Sequence, residues 1–323
     1  MIDIGTSLAG SRCVVFGGTG FLGSHIVREL TAADAEVTVF DLREPRAGAQ
    51  AGAGALTSVI GDVTDPAAVR HVIDGADHIF AFAGGSGALR SLANPLGDLR
   101  TSCEAQLVLL EAMREVAPEA SVVFPGSRLE YGKVQTLPVS EEHPLHGTSP
   151  YALHKIACDG YHHIYAEAHG LHTIVLRISN PYGAHTSGDS ARHGYGIVNR
   201  FVDSAMAGET IPLYGGGGQL RDLVFVDDVV RAVLLASVAD KAWGAAVNVG
   251  SGEGVSLRSV AEAVVAEVGS GSVDVDAEWP PDAKAVETGD FYFDVSLARD
   301  LLSWAPRVGL DEGVRRLVEA ARA

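Results

Sequence analysis

The chain has 323 residues, 47% apolar and 20% charged, with 41 acidic against 24 basic side chains and a formal net charge of −17. That apolar fraction buries a core in one large domain or two unequal ones, which excludes a disordered chain. The acidic balance repels nucleic-acid phosphates and anionic membranes, so neither is an expected partner.

In chain order, the first half alternates short β-branched runs with helical stretches. Arg12–Phe16 (RCVVF) predicts a strand, Phe21–Leu30 a helix, and Glu36–Phe40, Leu56–Ile60 and His78–Ala83 three further strands. A helix is expected from about Cys103 to Val116, a strand over Ser121–Phe124, a long helix over Tyr151–His169 and a strand over His172–Arg177. Strands that are apolar on both faces and separated by helices predict a parallel sheet covered on both sides, an α/β doubly wound fold of the Rossmann type. Gly, Pro and short irregular segments dominate 180–222. LVFVDDVVRAVLLAS then reads as a strand and helix returning to the main sheet, and the tail holds helices at Leu257–Val268 and near Asp311–Ala321. The expected organisation is a dinucleotide-binding domain of residues 1–177 and 223–247 with a smaller C-terminal substrate-binding lobe of residues 178–222 and 248–323. The Ala/Gly run at 47–55 reads as a surface loop.

No stretch approaches ~18 uninterrupted apolar residues, so no membrane span is expected. MIDIGTSLAGSR at the start is not a secretory signal. Cys13, Cys103 and Cys158 form neither a disulfide framework nor a zinc pattern and read as buried apolar residues. A cytoplasmic protein without a metal site is the expectation.

RCVVF runs into Gly17-Gly18-Thr19-Gly20-Phe21-Leu22-Gly23, which opens a helix. Gly18, Gly20 and Gly23 match G-x-G-x-x-G, and Gly17, Gly20 and Gly23 match the looser G-x-x-G-x-x-G. Glycines so placed allow a tight turn, close approach to a pyrophosphate and close helix–strand packing, with the phosphates at the helix N-terminus beside Phe21 and Leu22. Asp41 ends the second strand, where a carboxylate accepts the ribose hydroxyls of NAD and repels a 2′-phosphate, so NAD is the expected cofactor. Arg43 and Arg46 lie just beyond it and read as solvated charges, with a 2′-phosphate contact as the alternative. Asp62 and Val63 follow the third strand where the adenine edge should lie; Asp62 reads equally as a turn-forming residue.

Tyr151 and Lys155, in YALHK after Ser149-Pro150, share one helix face one turn apart. A phenol is a poor base at neutral pH, and a nearby cation improves it; Lys155 can also reach the nicotinamide ribose. Ser127 lies just past strand SVVF, at the carboxyl edge where open α/β sheets place their ligands.

With these residues in place the chain resembles the extended short-chain dehydrogenase/reductases, and among them the NAD-dependent epimerase/dehydratase family acting on nucleotide sugars. The motifs are GGTGFLG, Asp41, GDV at 61–63, GSRLEYG at 126–132, YALHK, RISNPYG at 177–183, LRDLVFVDDVVRA at 220–232, NVGSGEGVSL at 248–257 and the tail DVSLARDLLSWAP. The resemblance implies that Tyr151 is the acid/base, Lys155 its electrostatic partner and Ser127 the hydroxyl that hydrogen-bonds the reacting sugar oxygen. It implies that Asn180 and Arg221 bind the diphosphate of a nucleotide sugar, which agrees with the bidentate donors of a guanidinium and the donor of an amide. It further implies a nucleotide-sugar 4-epimerase using NAD through a transient 4-keto sugar. The implied assembly is a homodimer pairing the helices that hold Leu107–Met113 and Tyr151–Ala168. The alternatives are an NAD(P)H-dependent 4-keto-sugar reductase and, behind it, a dehydratase or decarboxylase or a non-catalytic NAD-sensing scaffold.

The pattern departs from the family in informative places. Eliminating members carry a Glu two residues before the Tyr-Gly, and dehydratases of the dTDP-glucose type add an Asp before it. Here those positions are Leu129 and Arg128, and Glu130 stands one residue late and out of phase. Elimination needs a second acid/base, so loss of neither water nor carbon dioxide is expected. Ser102 stands where a helical Asn is usual, and Phe82-Ala-Gly-Gly where His-Leu-Ala-Ala is usual. Gly215–Gly218 reads as a turn, His162 and His163 as surface or subunit-contact residues, and the loop with Arg192 and His193 as a lid or as solvated charge.

Overall fold

The computed structural model describes residues 4–44, 54–84, 87–185 and 196–322; Arg46, positions 47–53 of the Ala/Gly run, Arg192 and His193 lie outside them. Seven strands form one parallel sheet: β1 (Arg12–Phe16), β2 (Glu36–Asp41), β3 (Leu56–Ile60), β4 (His78–Ala81), β5 (Ser121–Ser127), β6 (His172–Ile178) and β7 (Ala246–Val249). Their spatial order is β7-β6-β5-β4-β1-β2-β3. The winding reverses between β1 and β4, so the carboxyl ends of those two strands flank a crevice of the kind in which open parallel sheets bind ligands.

Helices α1 (Phe21–Ala32), α2 (Ala105–Val116), α3 (Pro150–His169) and α4 (Val226–Ser237) cover the two faces. Successive strand residues point to opposite sides, and both sides are apolar here. Val14, Phe16, Ile79, Val122 and Phe124 meet Leu109, Leu110 and Met113 of α2 and Cys158 of α3. Val15, Val37, Val39, Phe80, Val123 and Val247 meet Ile26, Val27 and Leu30 of α1 and Val229 and Val233 of α4. Each such side chain contributes roughly 1.5–3 kcal/mol by leaving water, which is what seats the helices on the sheet. All three cysteines are buried free thiols, as their spacing predicts.

Several boundaries differ from the apolar pattern, and those nearest the crevice matter most. β5 runs three residues beyond SVVF: Pro125, Gly126 and Ser127 pair with Leu176, Arg177 and Ile178. A Pro-Gly-Ser sequence carries no strand signal of its own; the neighbouring strand imposes the extension. β4 stops at Ala81 instead of Ala83 because the Phe82 N–H turns back to the Phe80 carbonyl. A single π-turn, Arg100–Glu104, precedes α2, a feature frequent at functional sites. The strand Leu223–Phe225 does not return to the main sheet; it pairs with Asn180–Tyr182 in a separate two-stranded ladder, and the seventh position falls to β7. Two further pairs, Leu220–Arg221 with Val255–Ser256 and Thr210–Pro212 with Ser272–Asp274, tie the tail to the segment after β6.

Candidate active site

The loop after β1 is shaped by what a side chain there would strike. Gly17 sits at φ +75°, and a Cβ on it would lie 2.6 Å from the Phe82 carbonyl oxygen; a Cβ on Gly23 would collide with the Gly17 carbonyl. Gly17, Gly20 and Gly23 therefore carry the turn, while Gly18 lets α1 close on Val39. Gly20 caps α1 with no side-chain bond, so no capping side chain covers the helix N-terminus at Phe21 and Leu22. A cavity of about 390 Å³ lies over this turn, lined by Gly17, Gly20, Asp41, Arg43, Asp62 and Val63, with Phe82–Gly84 opposite. A backbone turn facing a helix N-terminus, with a carboxylate at the tip of the next strand, fits a dinucleotide.

Asp41 has a second task. Its Oδ2 accepts from the Thr19 N–H (3.1 Å) and hydroxyl (2.7 Å), so the carboxylate that faces the cavity also staples the glycine loop to β2. Arg43 is not merely a solvated charge: it lines the cavity, with Nη2 3.5 Å from the Thr19 hydroxyl. Asp62 is a turn-former, its Oδ1 accepting from the Thr64 N–H (2.9 Å) and hydroxyl (2.8 Å). Those bonds, the N–H first, hold its carboxyl below the usual range.

Tyr151 and Lys155 stand one turn apart on α3. Pro150 opens that helix, Ser149 caps it by accepting from the Ala152 N–H (3.2 Å), and the Ser91 hydroxyl accepts from the Tyr151 N–H (3.0 Å). Lys155 is buried. Its Nζ donates to the Pro125 carbonyl (2.6 Å) and lies 4.3 Å from the centre of the Phe124 ring and 5.8 Å from that of Tyr151. The ammonium thus ties α3 to β5 two residues before Ser127. The Ser127 hydroxyl accepts from the Leu129 N–H (3.2 Å), which leaves its own proton free to donate.

Sequence reasoning missed the part played by Glu130. Residues 128–130 form a 3₁₀ turn, so strand alternation does not apply to them, and the Glu130 carboxylate folds back beneath Ser127. Oε1 accepts from the Ser127 N–H at 2.6 Å; Oε2 has no hydrogen-bond partner and lies 3.4 Å from Arg177 Nε. Burial first, then the Asp159 carboxylate, pushes the Glu130 carboxyl up to about 8 against the pull of Arg177. Arg177 pairs with Asp159 (2.7 Å) and donates to the Tyr131 hydroxyl (2.8 Å), which donates to Asn248 (2.7 Å). Ser127-x-x-Glu130 is a capping box, and that spacing was the available signal.

The pairing of 180–182 with 223–225 brings Asn180 beside the segment holding Arg221. The Asn180 amide donates to the Asp222 carbonyl (2.7 Å) and accepts from Arg128 Nε (2.9 Å). Arg221 pairs with Glu287 (2.6 Å) and donates to the carbonyls of Leu220 and Gly289. Arg128, which the sequence marks only as a departure from an acidic position, belongs to this cluster. It donates to the Thr288 hydroxyl (3.1 Å) and lies over the Phe291 ring (5.4 Å). A second cavity, of about 720 Å³, adjoins the cluster and is lined by Lys133, Gln135, Trp279, Lys284, Glu287 and Thr288.

Ser127, Arg128, Tyr151, Lys155, Asn180 and Arg221 line neither cavity, and neither do the remaining residues. His162 is not on the surface: it is fully buried, stacked on Phe124 at 4.8 Å and bonded to Gln106, because it lies seven residues from Lys155 on the inward face of α3. Burial first, then Lys155, lowers its pKa to about 3. His163 is exposed. Tyr214–Gly217 is a turn with three consecutive glycines at positive φ. Ser102 sits in the π-turn with its hydroxyl buried and unpartnered. Among the described residues no His, Cys, Asp and Glu cluster could hold a metal ion, and no helix is long and apolar enough to cross a membrane.

A family model described as the NAD-dependent epimerase/dehydratase family matches residues 13–250. The chain is 30% identical to a UDP-glucose 4-epimerase of Mycolicibacterium smegmatis, over 96% of this chain and 98% of the relative. It is 32% identical to a dTDP-6-deoxy-L-talose 4-dehydrogenase (NAD(P)(+)) of Kitasatospora kifunensis, over 96% and 95%. Among solved structures it is similar to a UDP-glucose 4-epimerase of Thermotoga maritima with UDP-glucose, at TM-score 0.85 and 28% identity over 96% and 98% of the two chains.

Proposed function

The chain belongs to the NAD-dependent epimerase/dehydratase family, and on that premise we propose that it is a nucleotide-sugar 4-epimerase working through a transient 4-keto sugar. NAD, its cofactor, supplies a hydride acceptor and donor when bound in the cavity over Gly17, Gly20 and Asp41. Tyr151 takes the proton of the 4-hydroxyl and returns it, while the Ser127 hydroxyl donates to that oxygen as charge develops on it. Lys155, anchored on the Pro125 carbonyl, holds its Nζ 5.8 Å from the centre of the Tyr151 ring. Asn180 and Arg221 hold the diphosphate end, and residues 178–222 and 248–323 form the substrate lobe against the dinucleotide-binding remainder.

The observation that carries this reading is the fate of Glu130. It is the one carboxylate in the turn between Ser127 and Tyr131, and it is fully buried with Oε1 committed to the Ser127 backbone. Arg128 and Leu129 cannot act as the second acid/base that elimination requires. The test is to incubate the pure protein with a panel of nucleotide hexoses, with and without added NAD(H), and to follow the sugars by NMR. The expected product is the C4 epimer; a 4-keto-6-deoxy sugar or a pentose would overturn the reading. The 32% identical 4-dehydrogenase favours one rival, a 4-keto-sugar reductase. Stoichiometric consumption of NAD(P)H with a 4-keto substrate would establish that instead.

The same reading includes a homodimer. On the described surface Leu153 and Ile164 of α3 are more than half exposed, and Leu89, Leu92, Leu96 and Leu99 are exposed on the neighbouring short helices. Apolar helix faces of this kind are covered in a two-fold contact. Light scattering at micromolar concentration should give twice the chain mass; a monomer refutes it.

A further inference from the structure

Arg128 is a cation whose two hydrogen bonds both go to neutral groups. Among the described residues no carboxylate lies within ion-pair reach of it. Glu287 is taken by Arg221, and Asp222 accepts from Ser179, Ser251 and the Phe293 N–H. Two of the five N–H donors of a guanidinium are used, both on neutral acceptors, Asn180 and Thr288. Confinement first, then the like charge of Arg221, lowers its pKa to about 9, while the Glu287 and Asp222 carboxylates pull the other way. A guanidinium held in such surroundings with no carboxylate bonded to it is costly, and a bound anion lowers that cost.

Its place in the chain limits which anion that is. Arg128 follows Ser127 directly, and its bonds reach Asn180 and Thr288, the latter next to the Glu287 that pairs with Arg221, so it links the reacting end to the diphosphate end of the proposed site. It is also only partly accessible. Asn180 takes the Nε hydrogen and Thr288 one hydrogen of Nη1, which leaves one hydrogen of Nη1 and both of Nη2 without a bond. The Nη1–Nη2 end of a guanidinium can grip phosphate and carboxylate oxygens bidentately.

We propose that Arg128 is a specificity-determining residue that receives an oxyanion of the substrate, either a diphosphate oxygen or a carboxylate on the hexose. Besides its place at the diphosphate end, Asn180 orients Arg128 by accepting from its Nε. The proposal rests on the nucleotide-sugar reading above.

The test is calorimetric titration of the NAD-loaded protein and of its Arg128→Gln and Arg128→Lys variants with UDP, dTDP, UDP-glucose and UDP-glucuronic acid. If the anion is the diphosphate, Arg128→Gln weakens every ligand that the unmodified protein binds by at least about tenfold. If it is a sugar carboxylate, UDP and UDP-glucose bind as before. The unmodified protein then prefers UDP-glucuronic acid over UDP-glucose, and Arg128→Gln erases that preference. In both cases Arg128→Lys, which keeps the charge and loses the fork, falls between the two, and it carries the test if the Gln variant does not fold. Unchanged NAD affinity and melting temperature show that the effect is local. Affinities within twofold for every ligand in both variants overturn the role of Arg128 and leave the nucleotide-sugar reading standing. Failure of the unmodified protein to bind any of the four overturns that reading and this inference with it.

Discussion

The crevice over β1 and β4 and the cluster around Arg128 are built by different means. In the crevice, Gly17, Gly20 and Gly23 make the site by lacking side chains: Gly17 takes a backbone conformation that other residues avoid, and Gly23 leaves no room for a Cβ. In the cluster, Arg128, Asn180, Arg221 and Glu287 make the site by having side chains, and the Arg128–Thr288 bond joins residues 160 positions apart. A backbone site admits the same cofactor whatever surrounds it, whereas a side-chain site changes its ligand with each substitution.

The largest effect is expected where the two ends meet. Replacing Tyr151 by Phe keeps the ring near Lys155 and removes the hydroxyl proposed to carry the proton, so turnover should fall by at least ~10²-fold. NAD affinity, measured by titration, should stay within a few-fold because the glycine loop is untouched. Equal losses in turnover and NAD binding would mean that the two ends are not separable.

Next in size is the cofactor end itself. Gly23→Ala drives a methyl group into the Gly17 carbonyl, and relief requires α1 to move off the loop. Overpacking of this kind costs about 1–3 kcal/mol of stability. NAD affinity should drop by at least about tenfold, and calorimetry and thermal melting read both. Asp41→Asn is milder. It keeps the shape, weakens the acceptor of the Thr19 bonds and removes the charge that repels a 2′-phosphate, while Arg43 stays in the cavity wall. The NAD-over-NADP preference should shrink by roughly tenfold. If NADP already binds the unmodified protein more tightly, Arg43 and not Asp41 governs the choice.

The same contrast explains how much was legible in the sequence. The parallel sheet, the glycine loop, Asp41 and the Tyr151–Lys155 pair each rest on signals a few residues long: a β-branched run, a glycine spacing, one helical turn. Ser127 was found from the strand before it, although β5 reaches it only because β6 offers a partner across Pro125 and Gly126. Arg128 stayed a mere absence of acid because its partners come from the far end of the chain. The strand 223–225 was sent to the wrong sheet because apolar runs do not name their neighbours. His162 and His163, adjacent on a helix and unable to face one ligand together, suggest surface or subunit-contact residues, whereas the helix turns His162 inward onto Phe124. Local sterics can be read along a line; pairing between distant segments cannot.

The smallest effect, and the sharpest question about the boundary between the two ends, concerns Glu130. Its folded-state pKa is raised to about 8, well above its value in an unfolded chain, so between those two values the folded protein holds a proton that the unfolded chain releases. Stability from this group is therefore fully present at low pH and is lost as pH rises towards about 8. Glu130→Gln cannot ionise, yet it still offers an oxygen to the Ser127 N–H. Melting temperatures followed from pH 5 to pH 8.5 should fall less steeply for the variant, and the two proteins should differ least at pH 5. Turnover should change far less than in Tyr151→Phe, because Glu130 touches the backbone of Ser127 and not its hydroxyl. Parallel melting curves across that range would show that Glu130 ionises as a partner of Arg177, beside Asp159, and that the pocket beneath Ser127 tolerates a second negative charge. A loss of turnover as large as that of Tyr151→Phe would instead make Glu130 an acid/base and reopen elimination chemistry.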